Sequence, residues 1–207
     1  MKVAIIGAGA AGMFAAGLIS RKGHEVVVFD TNEKCGKKLF ITGKGRCNFT
    51  NVCDRETFLS NIVRGGKFFQ SALAKFSPQD CVQFFEDQGV RTKVERGNRA
   101  FPASDKSSDI IKALERFMDG AKVVLNHKVK RIFKSGEHFD VDGQKCDRVI
   151  VATGGKSYSA TGSDGDGYNF ARRFGHSIVD LKPALVPIEV DEKFVSELQG
   201  LSLKNVR

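Results

Sequence analysis

The sequence predicts an α/β fold: a parallel sheet wrapped by helices, with an antiparallel β-meander attached. Three observations predict it. Val3-Ala4-Ile5-Ile6-Gly7-Ala8-Gly9-Ala10-Ala11-Gly12 is an apolar strand running into G-x-G-x-x-G. Glu25-Val26-Val27-Val28-Phe29 is a second buried strand, and it ends in Asp30. Arg148-Val149-Ile150-Val151-Ala152 repeats the strand pattern far downstream and runs into Thr153-Gly154-Gly155.

The first two segments have the sequence form of a dinucleotide-binding βαβ unit. Gly7 permits the tight turn out of the strand. Gly9 lacks a Cβ, so a pyrophosphate can approach the backbone, and Gly12 lets the helix pack closely on the sheet. Ala10 and Ala11 open a helix whose free N–H groups and positive dipole end face the phosphates. Ala15, Ala16, Leu18 and Ile19 give that helix an apolar packing face, and Gly23 ends it. Asp30, with Thr31 beside it, stands close to the spacing at which an acid accepts hydrogen bonds from a ribose. An acid there favours a free 2′-hydroxyl, so FAD or NAD suits the site better than NADP. A plain α/β turn that binds nothing is the alternative.

The remaining elements follow in order. Residues 31–51 are rich in Gly, Lys, Asn and Thr and read as a long functional loop. Short helices are expected over 55–62, 68–75 and 78–88, with Phe76, Cys81, Val82, Phe84 and Phe85 on a buried face. A hairpin is expected around Gly97, from 91–95 and 98–101. Ser107 or Ser108 is expected to cap a helix reaching Met118 and stopping at Gly120. Residues 121–125 read as a strand. Residues 128–134 and 138–141, with the turn at Asp142-Gly143, read as the meander. A helix is expected over 163–173, then a change of direction at Pro183 and Pro187, and a strand at 188–190.

Composition bounds the function. The 207 residues suffice for one full domain and part of another. No apolar run approaches the roughly 20 residues of a membrane span, so no membrane partner is expected. The N-terminus does not read as a signal peptide, because its removal would destroy the glycine motif. Five cysteines without a C-x-x-C pair argue against a zinc site or a disulfide framework and for a reducing cytoplasm. The net charge of +9 permits a polyanionic partner. Lys34, Lys37, Lys38, Lys44 and Arg46 form one acid-free cluster, and Arg91, Lys93, Arg96 and Arg99 a second one diluted by Glu95. A solvated basic face together with charge compensation for a bound pyrophosphate is the preferred reading of them, ahead of nucleic-acid binding. Gly162, Gly165 and Gly167 with Asp164 and Asp166 lack EF-hand spacing, so no metal is expected. The four histidines share no motif, and no Ser-His-Asp arrangement can be argued.

Three motifs carry a family resemblance. The first is Gly7 to Asp30. The second is Gly36-Lys37-Lys38-Leu39-Phe40-Ile41-Thr42-Gly43-Lys44-Gly45-Arg46-Cys47-Asn48-Phe49-Thr50-Asn51, and the third is Ala152-Thr153-Gly154-Gly155-Lys156 onward to Tyr168. Together they resemble the BaiN/RdsA-type, aminoacetone-oxidase-like bacterial NAD(P)/FAD-dependent oxidoreductases, over essentially the whole chain. The resemblance implies a Rossmann-like FAD-binding domain of the glutathione-reductase type, FAD as cofactor, and electron or hydride transfer to a substrate that is a small molecule or RNA. Part of the family is linked to reduction of uridine in ribosomal RNA. It also implies a protein about twice this length, of which this chain resembles the N-terminal half. Residues 1–190 then form an incomplete FAD-binding domain. Residues 191–207 begin an inserted one, with 198–203 as its first strand. No second G-x-G-x-x-G is present, so a dedicated NAD(P)H domain is unsupported.

The cofactor-binding set is Gly7, Gly9, Ala10, Ala11, Gly12, Asp30 and Thr31; Lys38, Thr42, Gly43, Arg46, Cys47 and Asn48; Val129, which by resemblance meets adenine through its backbone; and Ala152, Thr153, Gly154 and Gly155. Gly43 and Gly45 permit close backbone approach. Lys38, Lys44 and Arg46 put positive charge where a pyrophosphate or reduced flavin can use it. Cys47 has two readings. Flanking cations would lower its thiol pKa, making it a catalytic proton donor or nucleophile beside the flavin. Otherwise it is a small buried thiol packing against the cofactor.

Overall fold

A computed structural model describes residues 1–183 and 189–201. The chain divides into two units, Met1–His176 and Ser177–Arg207.

The first unit is built on a four-stranded sheet in the order β10-β1-β2-β6. Its strands are β1 (Lys2–Ile6), β2 (Glu25–Phe29), β6 (Lys122–Val124) and β10 (Arg148–Val151), all parallel. Period-2 alternation sorts β1 and β2 onto two cores. Val3, Ile5, Val26 and Val28 face one core, and Ala4, Ile6, Val27 and Phe29 the other. Both faces are covered, which is why these strands read as continuous apolar runs.

Helix α1 (Ala10–Ser20) and helix α6 (Ser107–Phe117) cover the first face. They pack closely at Gly17, where a Cβ would sit 2.3 Å from Phe117 Cδ1. Phe14 of α1 meets Phe76, Phe84 and Phe117 with ring centroids 5.0–5.6 Å apart. Phe84, Phe85 and Cys81 of α5 (Pro78–Asp87) therefore belong to the core, as their pattern predicts, whereas Phe76, expected on the same face, is 38% exposed. The meander covers the second face: β7 (Ile132–Ser135), β8 (His138–Val141) and β9 (Gln144–Cys146), with α7 (Asp166–Arg173) beside it.

A third sheet lies between β2 and α6 in sequence. There β3 (Thr50–Asn51) and β4 (Thr92–Glu95) flank β5 (Arg99–Pro102), all antiparallel. The short helices α3 (Arg55–Ser60) and α4 (Gly66–Lys75) come between β3 and α5.

Several sequence expectations are corrected. Residues 31–51 are not one extended loop: α2 (Lys37–Ile41), a 3-10 turn (Thr42–Gly45) and β3 form there. Neither Ser107 nor Ser108 caps α6: Lys106 holds the N-cap position without a side-chain bond, and the buried Ser107 hydroxyl donates to the Phe40 carbonyl at 2.9 Å. That bond ties α6 to α2. Helix α7 starts at Asp166 rather than 163, since Gly165 before it is left-handed (φ 94°). The meander starts at Ile132 rather than 128, because the Lys130 and Arg131 N–H groups donate to the Asp142 carboxylate.

In the second unit, the described residues form one 3-10 turn, Lys193–Ser196, and further turns through Gly200. Residues 198–201 are thus not in a strand. Glu189 and Val190 have no regular structure. Pro187, Ile188, Ser202 and Leu203 lie outside the described residues.

Candidate functional site

The carboxyl ends of β1, β2 and β10 open onto a cleft of about 370 Å³, the place where ligands bind in open α/β sheets. The turn after β1 builds its floor. Gly7 has φ +107° and a Cβ there would lie 2.4 Å from the Ala152 carbonyl, so only glycine fits between the ends of β1 and β10. Its N–H donates to Phe29 at 2.7 Å, and the Ala152 N–H donates to Ile6 at 2.8 Å. At Gly12 a Cβ would come within 1.8 Å of the Gly7 carbonyl. Gly9 is different: nothing lies within 4 Å of its Cβ position, and it lines the cleft.

Gly9 is also the N-cap of α1 and offers no side-chain cap. The Met13 N–H is bonded back to Gly9 at 2.9 Å, so the amides of Ala10, Ala11 and Gly12 precede the intrahelical ladder. These donors and the helix dipole make the glycine turn an anion cradle.

Asp30 at the end of β2 is shared. Its carboxylate accepts from Ala8 N–H at 2.6 Å and from the Asn32 N–H and Nδ2, both at 2.8 Å. A carboxylate has about four lone-pair positions, so one acceptor position is left for a ligand hydroxyl.

The segment after β10 closes the opposite wall. Lys38 Nζ donates to the Ser157 carbonyl at 2.7 Å, and Asn32 Nδ2 to the Thr161 carbonyl at 3.1 Å. Lys128 Nζ meets Asp164 and Asp166 at 2.6 and 3.0 Å. The two carboxylates push the Lys128 pKa up, and Lys128 holds Asp164 below the usual carboxylate range. Burial lowers the Lys38 pKa. The Thr153 hydroxyl is buried and has no hydrogen-bond partner among the described residues.

Among the expected site residues, the cleft brings together Gly7, Gly9, Ala10, Ala11, Asp30, Thr31, Lys38, Thr42, Val129, Ala152, Thr153 and Gly154. Gly12, Gly43, Arg46, Cys47, Asn48 and Gly155 lie outside its lining. Arg46 is bound elsewhere. Its Nε meets Asp105 at 2.7 Å, its guanidinium also bonds Glu95, and it lies 4.2 Å over the Phe101 ring. Asn48, with its amide oriented to satisfy its neighbours, donates to Ala100 and Thr50 at 3.2 and 3.0 Å. Cys47 is 1% exposed. Burial raises its thiol pKa, against a smaller opposing effect of the Thr42 hydroxyl. The expectation of a lowered pKa is therefore corrected, because the flanking cations do not reach the buried sulfur.

Sequence reasoning missed Asn32, His127, Lys128 and Phe170 in the lining. His127 packs beside Phe29, ring centroids 5.1 Å apart, with Nε2 3.1 Å from Asp142 Oδ2. Only Lys128 had a signal, its place next to Val129.

Comparison with known proteins agrees with this architecture. The chain is 34% identical over 210 residues to a 3-dehydro-bile acid delta(4,6)-reductase of Clostridium scindens, covering 97% of this chain and 50% of that protein. It is 32% identical over 211 residues to a ribosomal RNA dihydrouridine synthase of Haemophilus influenzae, covering 96% and 52%. The chain thus spans about half the length of the curated relatives it matches. Among solved structures, Mycobacterium smegmatis Sdh1 in complex with UQ1 superposes with a TM-score of 0.59 at 18% identity, over 83% of this chain and 38% of that one. A flavocytochrome c3 fumarate reductase does so with a TM-score of 0.57 at 24% identity, over 74% and 33%. The model of the HI0933-like protein Rossmann domain matches residues 1–206, and the chain belongs to that family.

Proposed function

We propose that this chain is the FAD-binding domain of a flavin-dependent oxidoreductase. The observation that carries the reading is the cleft itself. An open Cβ position at Gly9 lies against uncapped helix amides, with a free acceptor on Asp30 at the next strand end. This set fits an adenine dinucleotide: the amides of Ala10 and Ala11 beside Gly9 hold the pyrophosphate and Asp30 accepts from a ribose hydroxyl. Val129, Phe29 and Phe170, all buried, supply apolar lining to the cleft. The antiparallel meander between β6 and β10 favours FAD over NAD, because it stands where a second helical mononucleotide half would be.

FAD, when bound, supplies two-electron redox chemistry, and the protein supplies binding, orientation and electrostatics. Lys38 contributes positive charge at the cleft wall. Cys47 has no catalytic role in this reading, since its sulfur is buried and lies outside the lining.

The relatives reduce a bile acid or modify ribosomal RNA, by their names. For this chain the two substrate readings are RNA, with which the +9 charge is compatible, and a small molecule. No helix among the described residues is long and apolar enough to cross a membrane.

The absorbance spectrum of the purified chain, followed by denaturation and chromatography of the released cofactor, tests the cofactor. Released FAD is the expected result. Released NAD, or a colourless chain that takes up no added FAD, overturns the proposal.

A further inference from the structure

The α3–α4 region carries an exposed surface that the cleft does not use. Phe68 is 91% exposed and Val63 is fully exposed. Helical spacing sorts α4 into two faces. Phe69, Leu73 and the following Phe76 form the inward row, with Leu73 buried and Phe69 and Phe76 less than half exposed. Lys67, Phe68, Ser71 and Lys75 share the outward arc. Arg64 stands in the preceding turn beside Val63. Arg64, Lys67 and Lys75 are exposed and make no ion pair among the described residues. Behind them Phe69 stacks on Phe58, centroids 5.9 Å apart and rings within 11° of parallel, so the two rings brace the base of the face.

We infer that this face binds single-stranded RNA, with Phe68 as a stacking platform for a base and Arg64, Lys67 and Lys75 as phosphate contacts. The inference rests on the RNA reading of the substrate and gives it a location. An exposed aromatic interleaved with unpaired cations is the arrangement that single strands use. The π-face takes any unstacked base and the cations follow the backbone. The charge complementarity is with a polyanion. A second copy of this chain would bring the same cations against each other.

The test uses a fluorescein-labelled oligouridylate of about 12 nucleotides, titrated with the full chain by anisotropy between about 50 and 200 mM salt. Phe68→Ser is expected to weaken binding about tenfold. Arg64→Gln with Lys67→Gln is expected to lower the slope of log affinity against log salt by about 1.4, for two single-strand phosphate contacts. Lys145→Gln, a charge loss on the exposed β9, is expected to leave the slope within error of the parent chain.

Absence of binding at the lowest salt overturns the inference. So does a Lys145 variant as weak as the Arg64/Lys67 pair, which would mean net charge alone. Equal affinity for a duplex of the same length overturns the stacking role. A Phe68→Ser chain that binds RNA unchanged but elutes at a smaller size assigns the face to self-association instead. The flavin spectrum of each variant is recorded in parallel. Its loss reports failure of the FAD reading or of folding, whereas its retention with RNA binding lost reports on this face alone.

Discussion

Two glycine-rich segments of this molecule both invite a cofactor-binding reading from sequence and behave differently in structure. The turn at Gly7–Gly12 opens its backbone to a cleft. The segment at Gly43–Asn48 lies outside the cleft lining, with Cys47 alone buried. In the first, Gly7 is held against Ala152 and Gly12 against Gly7, and the Cβ position of Gly9 faces open space. In the second, tertiary partners decide. A Cβ at Gly43 would meet the Asn48 amide at 2.8 Å, Cys47 takes φ 58°, and Arg46 reaches across to Glu95 and Asp105. Both segments leave one glycine open, Gly9 and Gly45, but only Gly9 faces the cleft.

The sharpest break of this comparison lies within the first turn. Gly12→Val places a side chain where the Gly7 carbonyl stands, and neither backbone element can give way. A loss of about 4 kcal/mol is expected, seen as a fall in Tm of about 10 °C in calorimetry. A variant melting with the parent chain would remove the close-packing account of the turn.

Gly9→Val is the complementary change. Its φ of −82° suits any residue and its Cβ meets nothing, so Tm should stay within about 2 °C of the parent. The added methyls fill the space that the pyrophosphate needs, and FAD affinity should fall about tenfold or more by fluorescence titration. Unchanged FAD affinity would place the dinucleotide elsewhere.

The two segments also differ in how far the sequence alone exposes them. The sheet strands were legible because burial on both faces leaves unbroken apolar runs, and the glycine turn follows directly from them. Helix α2 was not, since its five residues Lys37–Ile41 are too short to declare a period. It is held by distant groups. Gly36 N–H donates to Ala8, Gly36 packs against Ile111, and Ser107 caps the Phe40 carbonyl. The role of Arg46 was equally hidden, because Glu95 and Asp105 lie 49 and 59 residues away in the chain. Local spacing suggested a pyrophosphate contact, and tertiary pairing supplied two carboxylates instead.

That pairing has a measurable signature. Arg46 and Lys93 hold Glu95 and Asp105 below their ordinary values of 4.5 and 3.8. Depressed carboxyl pKa values give stability that is present above those ordinary values and lost as pH falls through the lowered ones. Arg46→Gln should therefore lower Tm slightly at neutral pH. The electrostatic part of that difference should vanish in acid well below pH 3.8 and shrink in high salt. What remains reports the packing of Arg46 on Phe101. A difference that grows on acidification would reverse the assigned sign.

The smallest effect is expected at Cys47. Reactivity follows thiolate and access, and Cys47 has neither, being 1% exposed with its pKa raised by burial. Burial also pushes the thiols of Cys35 and Cys81 up to about 11. Native alkylation with iodoacetamide near pH 7 should therefore label the half-buried Cys53 first and leave Cys47 for the denatured chain. Cys47→Ser should keep the flavin spectrum and FAD affinity of the parent, because the sulfur lies outside the cleft lining. The informative failure is specific. If Cys47 labels first in the native chain and bound FAD protects it, the Gly43–Asn48 segment opens to the cofactor in solution. The contrast between the two glycine-rich segments would then be one of populations rather than of fold.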